Sequence, residues 1–288
     1  MATTCETVPV NTLRSILLHL DASPRSAMRL AMACELAAQH DGRVTALYAS
    51  TPAAFSVPFV MADGAADVLA MLQQLDTDYR DNARALFDRS TAGATPPVLW
   101  RELRRAAVIP GVAAHALCTD LLVLGQHDPS DPLTAGIPSD FVASVLLASG
   151  KPALVLPYVD ICATLGREVL IAWKPARESA RAVAAAMPFL KRASRIHLTL
   201  ADDPDAVEAP AHELADYLRL HGVQAPIQQH APVPDESAGD GLLSLAADVG
   251  ADLLVMGCYG HSRARELVLG GASRTVLRSM TLPVLMAH

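Results

Sequence analysis

The chain has 288 residues, a net charge of −7 and an apolar fraction of 51%. This length fits one or two domains, and the apolar fraction is sufficient for buried cores. No long basic run supplies the clustered Lys and Arg that binding to a nucleic-acid backbone needs, so that function is not predicted. No apolar run reaches the length of about 18 residues that is typical of a membrane-spanning helix.

The ends and cysteines of the sequence favour a cytosolic setting. The first residues, Met1 to Asn11, contain neither the basic nor the apolar region of a signal peptide. The five cysteines are scattered and form no Cys-x-x-Cys pair, which is typical of a reduced compartment.

Short apolar runs alternate with amphipathic stretches, a pattern typical of β-α-β units around a parallel sheet. Near-continuous apolar runs such as Leu121–Leu124 indicate strands that are covered on both faces. Ser23 and Pro24 predict the start of the first helix, with a capping hydroxyl followed by proline at the first helical position. In the first half we predict strands near 15–21, 43–50, 97–102, 121–125 and 153–157, and helices near 24–40, 66–91, 109–118 and 140–149. In the second half we predict strands near 168–174, 195–201, 224–230, 252–257 and 282–286, and helices near 176–192, 208–222, 235–249 and 272–280.

The chain contains an internal repeat. Three segments recur in the same order, which predicts a first module at residues 1–158 and a second at 166–288. The matched segments are Ile16–Asp21 with Val169–Lys174, Asp120–Gly125 with Asp252–Gly257, and Lys151–Leu156 with Leu282–Ala287. The first half holds about 21 extra residues, which lie in 52–92, where an apolar loop precedes a long helix pattern. This insertion is either a longer covering helix or a lid or partner surface.

A glycine-rich loop follows the apolar run Leu253–Met256. Its glycines are Gly257, Gly260, Gly270 and Gly271, and Ser273 follows in the predicted helix. Glycines allow close backbone approach to a ligand, and a helix N-terminus presents N–H groups that suit a phosphate. The simpler alternative is that these glycines only form tight turns.

With its Gly-x2-Gly-x9-Gly spacing, this loop resembles that of the universal stress protein family. The resemblance extends over nearly the whole chain as two tandem modules, and it implies that the loop holds the phosphates and ribose of ATP. Gly271 stands where the family has Ser or Thr, while Ser273 matches a second hydroxyl position. The resemblance implies an α/β fold of two five-stranded parallel sheets, each in the order 3-2-1-4-5 of the adenine-nucleotide alpha-hydrolase-like fold. It also implies a ligand at the switch point between strands 1 and 4, and internal pairing of the two modules through their last strands.

The first module is predicted to be a degenerate site. It keeps the family's carboxylate after strand 1 as Asp21, which is either a ligand neighbour or a turn residue. Its loop, however, has lost two glycines and contains prolines, which remove N–H donors. Asp128 and Asp140 add negative charge near the place of a phosphate.

The second module keeps the glycines but has Lys174 in place of the carboxylate. Lys174 is predicted to pair with a phosphate or with Glu266, and it cannot replace a carboxylate as a Mg²⁺ ligand. Trp173 either stacks on adenine or packs in the core. Arg263 is predicted to be either a phosphate contact or a solvated surface charge. The same alternatives apply to Arg265 and Arg274, for which the phosphate contact is predicted less strongly.

No motif of a metalloprotease, a Walker-type nucleotide hydrolase or a complete nucleophile elbow occurs. Phosphoryl transfer needs a metal clamp and a positioned base, so we predict binding without efficient turnover. The expected function is that of a cytosolic tandem universal stress protein that binds ATP or AMP mainly in its second module. The alternatives are a nucleotide-independent protein scaffold and, last, a slow ATP hydrolase. The chain is expected to be an internal pseudo-dimer or a homodimer of such units.

Overall fold

The computed structural model describes residues 13–53, 65–94, 97–104, 107–159, 164–202, 211–234, 237–258 and 271–288. Within these ranges, helices and strands alternate as the sequence predicts. The strands are β1 (Ser15–Leu20), β2 (Arg43–Tyr48), β3 (Leu99–Glu102), β4 (Leu121–Gly125), β5 (Ala153–Leu156), β6 (Glu168–Trp173), β7 (Arg195–Asp202), β8 (Ile227–Gln229), β9 (Val233–Pro234), β10 (Leu253–Gly257) and β11 (Val284–Ala287). The helices are α1 (Ser26–Gln39), α2 (Ala65–Ser90), α3 (Val108–Ala116), α4 (Phe141–Ser149), α5 (Arg177–Leu190), α6 (Ala211–Leu220), α7 (Ala238–Asp248) and α8 (Gly271–Ser279).

One continuous sheet contains both modules. The first module contributes β3-β2-β1-β4-β5 and the second β8-β7-β6-β10-β11, so each has the order 3-2-1-4-5. Pairing within each module is parallel, and the short strand β9 adds to β7. The modules join where β5 pairs with β11 in antiparallel register, with Leu154 opposite Leu285. The predicted fold class is therefore confirmed.

The repeat extends to individual hydrogen bonds. The Asp120 carboxylate, just before β4, accepts the backbone N–H groups of Arg14 and Ser15 at the start of β1, each at 2.8 Å. Asp252, just before β10, accepts the two N–H groups at the start of β6, each at 3.1 Å. The pairing register of β1 with β4 is likewise reproduced by β6 with β10. Positions in one module can therefore be assigned to counterparts in the other.

Two layers of helices cover the sheet. Apolar side chains of α1, α2, α5 and α6 pack on one face, and those of α3, α4, α7 and α8 pack on the other. Each strand contributes alternate residues to both layers, which explains the near-continuous apolar runs. The structure is thus a three-layer α/β architecture with its cores on both sides of the sheet.

The inserted helix α2 covers the sheet with its second half, where Ala83 and Phe87 are buried. Its first half is largely exposed and carries large apolar side chains, including Val68 and Met71, which are 52% and 75% exposed. The preceding apolar loop at 55–61 lies outside the described residues. Both interpretations of the insertion therefore have support in different parts of one helix.

The predicted cap of the first helix is wrong. α1 begins at Ser26, after a turn at Ser23 and Pro24. The Ser23 hydroxyl donates to the Asp21 carboxylate at 2.6 Å, so it does not cap the helix. The short strand β9 was not predicted from the sequence. None of the described helices is both long enough and apolar enough to cross a membrane.

Candidate functional site

The carboxyl ends of β1 and β4 in the first module enclose a buried ion pair. Asp21 is 3% exposed, and its carboxylate lies 2.7 Å from the Arg29 guanidinium of α1. The same carboxylate accepts the N–H of Ser23 at 2.9 Å and the hydroxyl of Ser26 at 3.0 Å. The carboxylate oxygens of Asp21 are therefore occupied by donors of the first module, namely Arg29 and the turn that leads into α1.

The pKa values agree with a paired carboxylate beside a neutral imidazole. Burial alone raises the pKa of Asp21, but Arg29 and His19, together with the hydroxyl of Ser23, outweigh it and lower that pKa to about 2. Burial lowers the pKa of His19 to about 4, with opposing effects from Asp21 and Arg29. His19 lies 2.9 Å from the carbonyl oxygen of Ala49. A neutral imidazole that donates from Nε2 fits this contact.

Acid should destabilise the protein through His19. Its pKa is about 4 in the fold against an ordinary 6.5, so between these values the unfolded chain binds the proton more strongly. Stability that is present above pH 6.5 should be lost as the pH falls to about 4, by up to about 3 kcal/mol. Urea unfolding at several pH values should show a smaller loss for His19→Gln, which can still donate to Ala49 but does not titrate. An unchanged pH dependence in that variant would contradict the assignment.

Arg29 also closes the end of β4. A side chain at Gly125 would collide with the Arg29 guanidinium, so glycine leaves room there for the buried arginine. A small cavity of about 20 Å³ remains, with Arg29, Gln126 and His127 among its lining residues. Arg29 Nε and His127 Nδ1 are buried there without a protein partner. This space has room for about one water molecule.

The two loop carboxylates of the first module have different surroundings. Asp128 is buried, and its carboxylate accepts hydrogen bonds from the hydroxyl of Ser130 at 2.6 Å and from the backbone N–H of Ser130 at 3.0 Å. The Arg25 side chain lies 3.7 Å from the same carboxylate. These hydrogen bonds from Ser130, opposed by burial and aided by Arg25, lower the pKa of Asp128. Asp140 immediately precedes α4, where its carboxylate accepts the Ser144 hydroxyl at 2.7 Å. Negative charge thus already lies at the helix end where a phosphate would bind.

The second module has small side chains at the positions that fill the first crevice. The matching strand registers, extended along the adjoining helices, assign these counterparts. Ala172 replaces His19, Ala182 replaces Arg29, Ala272 replaces Phe141 and Gly271 replaces Asp140. The side chains at these four described positions can therefore form neither the Asp21–Arg29 type of ion pair nor the tilted ring contact of Phe141 with His19, whose centroids lie 4.5 Å apart.

The predicted ligand residues fall into two groups. Gly257 ends β10, while Gly271 and Ser273 lie in the first turn of α8, with Gly271 exposed and Ser273 buried. Gly260, Arg263 and Gly270 lie outside the described residues, as does Arg265, so their assignment stays a prediction. The described residues thus provide the two ends of the glycine-rich loop.

Gly257 has a packing role that the sequence did not reveal. A Cβ there would lie 2.6 Å from the backbone nitrogen of Ser179 and 2.8 Å from the carbonyl carbon of Glu178. The start of α5 therefore packs directly on the end of β10. The adjoining Cys258 is buried, and burial with the nearby Glu178 carboxylate raises the pKa of its thiol to about 12.

The loop glycines should respond differently to alanine. Gly257→Ala should lower the free energy of unfolding by about 1–3 kcal/mol, because the new methyl group overpacks against α5. Gly271→Ala should leave stability unchanged or slightly higher, since no atom of the described residues lies within 4 Å of the new Cβ and alanine is a better helix former. Thermal unfolding of both variants tests this contrast, and equal effects would contradict it.

Trp173 and Lys174 lie at the end of β6. Trp173 is half-buried and packs against the core on the face that α5 covers, which supports the packing interpretation. It occupies the position of Leu20 in the first module. Lys174 and Arg274 are half-buried and exposed, respectively. Over the described part of the chain, no group of three or more His, Cys, Asp or Glu side chains is arranged to hold a metal ion.

Comparisons with known proteins agree with this architecture. The universal stress protein family matches residues 167–288. A curated relative, Universal stress protein Slr1230 of Synechocystis sp., is 44% identical over 48 residues, an alignment that covers 17% of this chain and 17% of that relative. The match to the universal stress protein family therefore covers the second module.

Solved structures extend the likeness to both modules. A universal stress protein from Archaeoglobus fulgidus aligns over 96% of each chain with a TM-score of 0.64 and 14% identity. A Pseudomonas aeruginosa structure assigned to the universal stress proteins aligns over 96% of this chain and 93% of its own, with a TM-score of 0.57 and 15% identity. At these identities the likeness shows a shared fold, which by itself does not define a ligand.

Proposed function

We propose that the protein is a tandem universal stress protein that binds an adenine nucleotide, ATP or AMP, in its second module. Residues 1–158 and 166–288 are its two domains in this proposal. The nucleotide lies at the carboxyl ends of β6 and β10, with its phosphates at the glycine-rich loop and the start of α8. The first module serves as a structural partner with a closed crevice.

The contrast between the two crevices carries this proposal. In the first, the Asp21–Arg29 pair is buried, and Arg29 closes the space above Gly125. In the second, alanines stand at the positions of Arg29 and His19. The family match lies on the second module, as do the spaced glycines.

Binding is proposed to occur without efficient turnover. Hydrolysis needs a metal clamp and a base or an oriented water. Lys174 replaces the carboxylate after β6, so this position offers no oxygen ligand to Mg²⁺. The protein is proposed to act in the cytosol, where its response to nucleotide is regulatory or protective.

Mass spectrometry of the denatured, freshly purified protein, followed by calorimetric titration with ATP and AMP, tests this function. The proposal expects an adenine nucleotide at up to one equivalent per chain, and affinity that does not require Mg²⁺. A stoichiometry of two would mean that the first crevice opens. The absence of binding by either nucleotide would overturn the proposal.

A protein-interaction scaffold is the second candidate function. The first half of α2 favours it, because groups of exposed apolar side chains are typical of protein contact surfaces. The residues concerned are Val68, Leu69, Met71 and Leu75. Retained function in a variant that cannot bind nucleotide would favour this candidate.

A further inference from the structure

Gln126 connects the first module to the last turn of α8, the helix whose first turn lies at the proposed ligand site. It directly follows β4 and is 6% exposed. Its Nε2 donates to the carbonyl oxygen of Arg278 in the last turn of α8, at 3.0 Å. Its Oε1 accepts the backbone N–H of Tyr158, also at 3.0 Å. One amide of the first module thus bridges its own chain segment and a helix of the second module.

This contact provides a hydrogen-bond donor for a carbonyl group at the end of α8. The last four carbonyl groups of a helix have no partner within the helix, so they are satisfied by other groups. The two hydrogen bonds hold the Gln126 amide in one orientation, since only its NH₂ donates and only its oxygen accepts. Because α8 has nine residues, a fixed last turn also restricts the position of its first turn.

The two modules differ in the residue that follows their fourth strand. In the second module the residue after the fourth strand is Cys258, whose buried thiol is a weak donor. The helix α4 ends differently, at Gly150 with φ 61°, whose N–H donates to the carbonyl oxygen of Leu146. Glycine in the left-handed region is a common helix end. Gln126 of the first module therefore holds the helix of the second by a contact that Cys258, at the corresponding described position, does not offer in return.

We propose that Gln126 is a positioning residue for the second module's ligand site. It fixes α8 so that the N–H groups of the first turn, around Gly271 and Ser273, meet the phosphate of the bound nucleotide. This inference rests on the proposed function. It gives the closed loop of the first module a function, namely to set the nucleotide affinity of the second.

Two substitutions distinguish an effect of Gln126 on the position of α8 from an effect on the overall stability of the protein. Gln126→Leu removes both hydrogen bonds. Gln126→Glu keeps the acceptor for Tyr158 but, when ionised, turns an oxygen towards the Arg278 carbonyl. Ser130→Ala is the matched control, because its hydroxyl binds Asp128 in the same loop without reaching α8. Affinity for ATP is measured by calorimetry, and protection of the α8 amides is measured by hydrogen exchange without nucleotide.

At pH 8 both Gln126 variants should bind ATP about threefold to tenfold more weakly than the parent, because both lose the hydrogen bond to α8 and its net value sets this range. Their α8 amides should exchange faster, while Ser130→Ala behaves as the parent. Acidification to pH 5 should restore Gln126→Glu relative to the parent at the same pH. Burial beside the Arg278 carbonyl raises the pKa of the new carboxyl, and its protonated form donates to Arg278. Gln126→Leu should show no such recovery.

The outcomes distinguish the two proposals. If the parent protein binds no nucleotide, the proposed function fails, and unchanged α8 exchange in both Gln126 variants would remove the positioning role as well. If the parent binds ATP and the Gln126 variants match it in affinity and exchange, the positioning role alone is overturned. An equal loss in Ser130→Ala would also overturn it, because the effect would then belong to the loop as a whole.

Discussion

Replacing Arg29 with methionine should destabilise the protein by about 3–5 kcal/mol, the cost of leaving a buried charge without its partner. Asp21 is 3% exposed and takes its shortest charged contact from this guanidinium. In Arg29→Met the carboxylate keeps its serine donors but loses the opposite charge. Urea unfolding at pH 7 measures the difference in free energy.

The double variant Asp21→Asn with Arg29→Met is the control for this prediction. It removes both charges, so most of the lost stability should return, since neutral or apolar replacements of a buried pair are often tolerated. A loss below about 1 kcal/mol in the single variant would resemble an exposed ion pair. That result would contradict a closed first crevice.

Gly260→Val should abolish ATP binding while the protein remains folded. A side chain at this position would block backbone approach to the phosphates and restrict the left-handed conformations that glycine permits. Because the position lies in a loop by sequence, the effect on the free energy of unfolding should be small. Calorimetric titration measures the affinity, and circular dichroism with thermal unfolding verifies the fold.

Pro129→Val is the matched control in the corresponding loop of the first module, where Pro129 is exposed. Its affinity for ATP should equal that of the parent. Undiminished binding by Gly260→Val would remove the phosphate role of the loop and would place the scaffold function first.

The fold could be predicted well from the sequence. Apolar runs of four to six residues fixed the strands, and the repeated segments ending at Gly125 and Gly257 identified equivalent strands in the two modules. These features depend on burial and periodicity, which are visible along the chain. The start of α1 was predicted too early, because Ser23 binds the carboxylate two residues before it and leaves the helix uncapped by a side chain.

The sequence analysis did not predict the chemistry of the first crevice. A degenerate site was predicted from lost glycines, from prolines and from the charges of Asp128 and Asp140, whereas the structure adds a buried ion pair of Asp21 with Arg29. The sequence offered one overlooked signal: Arg29 interrupts the apolar face of α1, at a position where the repeat has Ala182. Its partner could not be inferred, because pairing with Asp21 depends on how α1 sits on the sheet.

Gln126 shows the same limit. In the sequence it was only a residue that followed Gly125 where glycines had been lost. Its contact with Arg278 joins residues 152 positions apart across the two modules. Such a contact follows from the antiparallel pairing of β5 with β11, and one-dimensional patterns do not specify the side chains that meet there.

NMR titration of the isotope-labelled protein with ATP tests the central claim most directly, because it locates the ligand as well as detecting it. The account predicts shift changes concentrated at Gly257–Cys258 and Gly271–Ser273, together with loop resonances between them, and little change at Gly125–Asp140. Changes concentrated at Gly125–Asp140 would contradict the account, since they would place the nucleotide in the crevice that Arg29 closes.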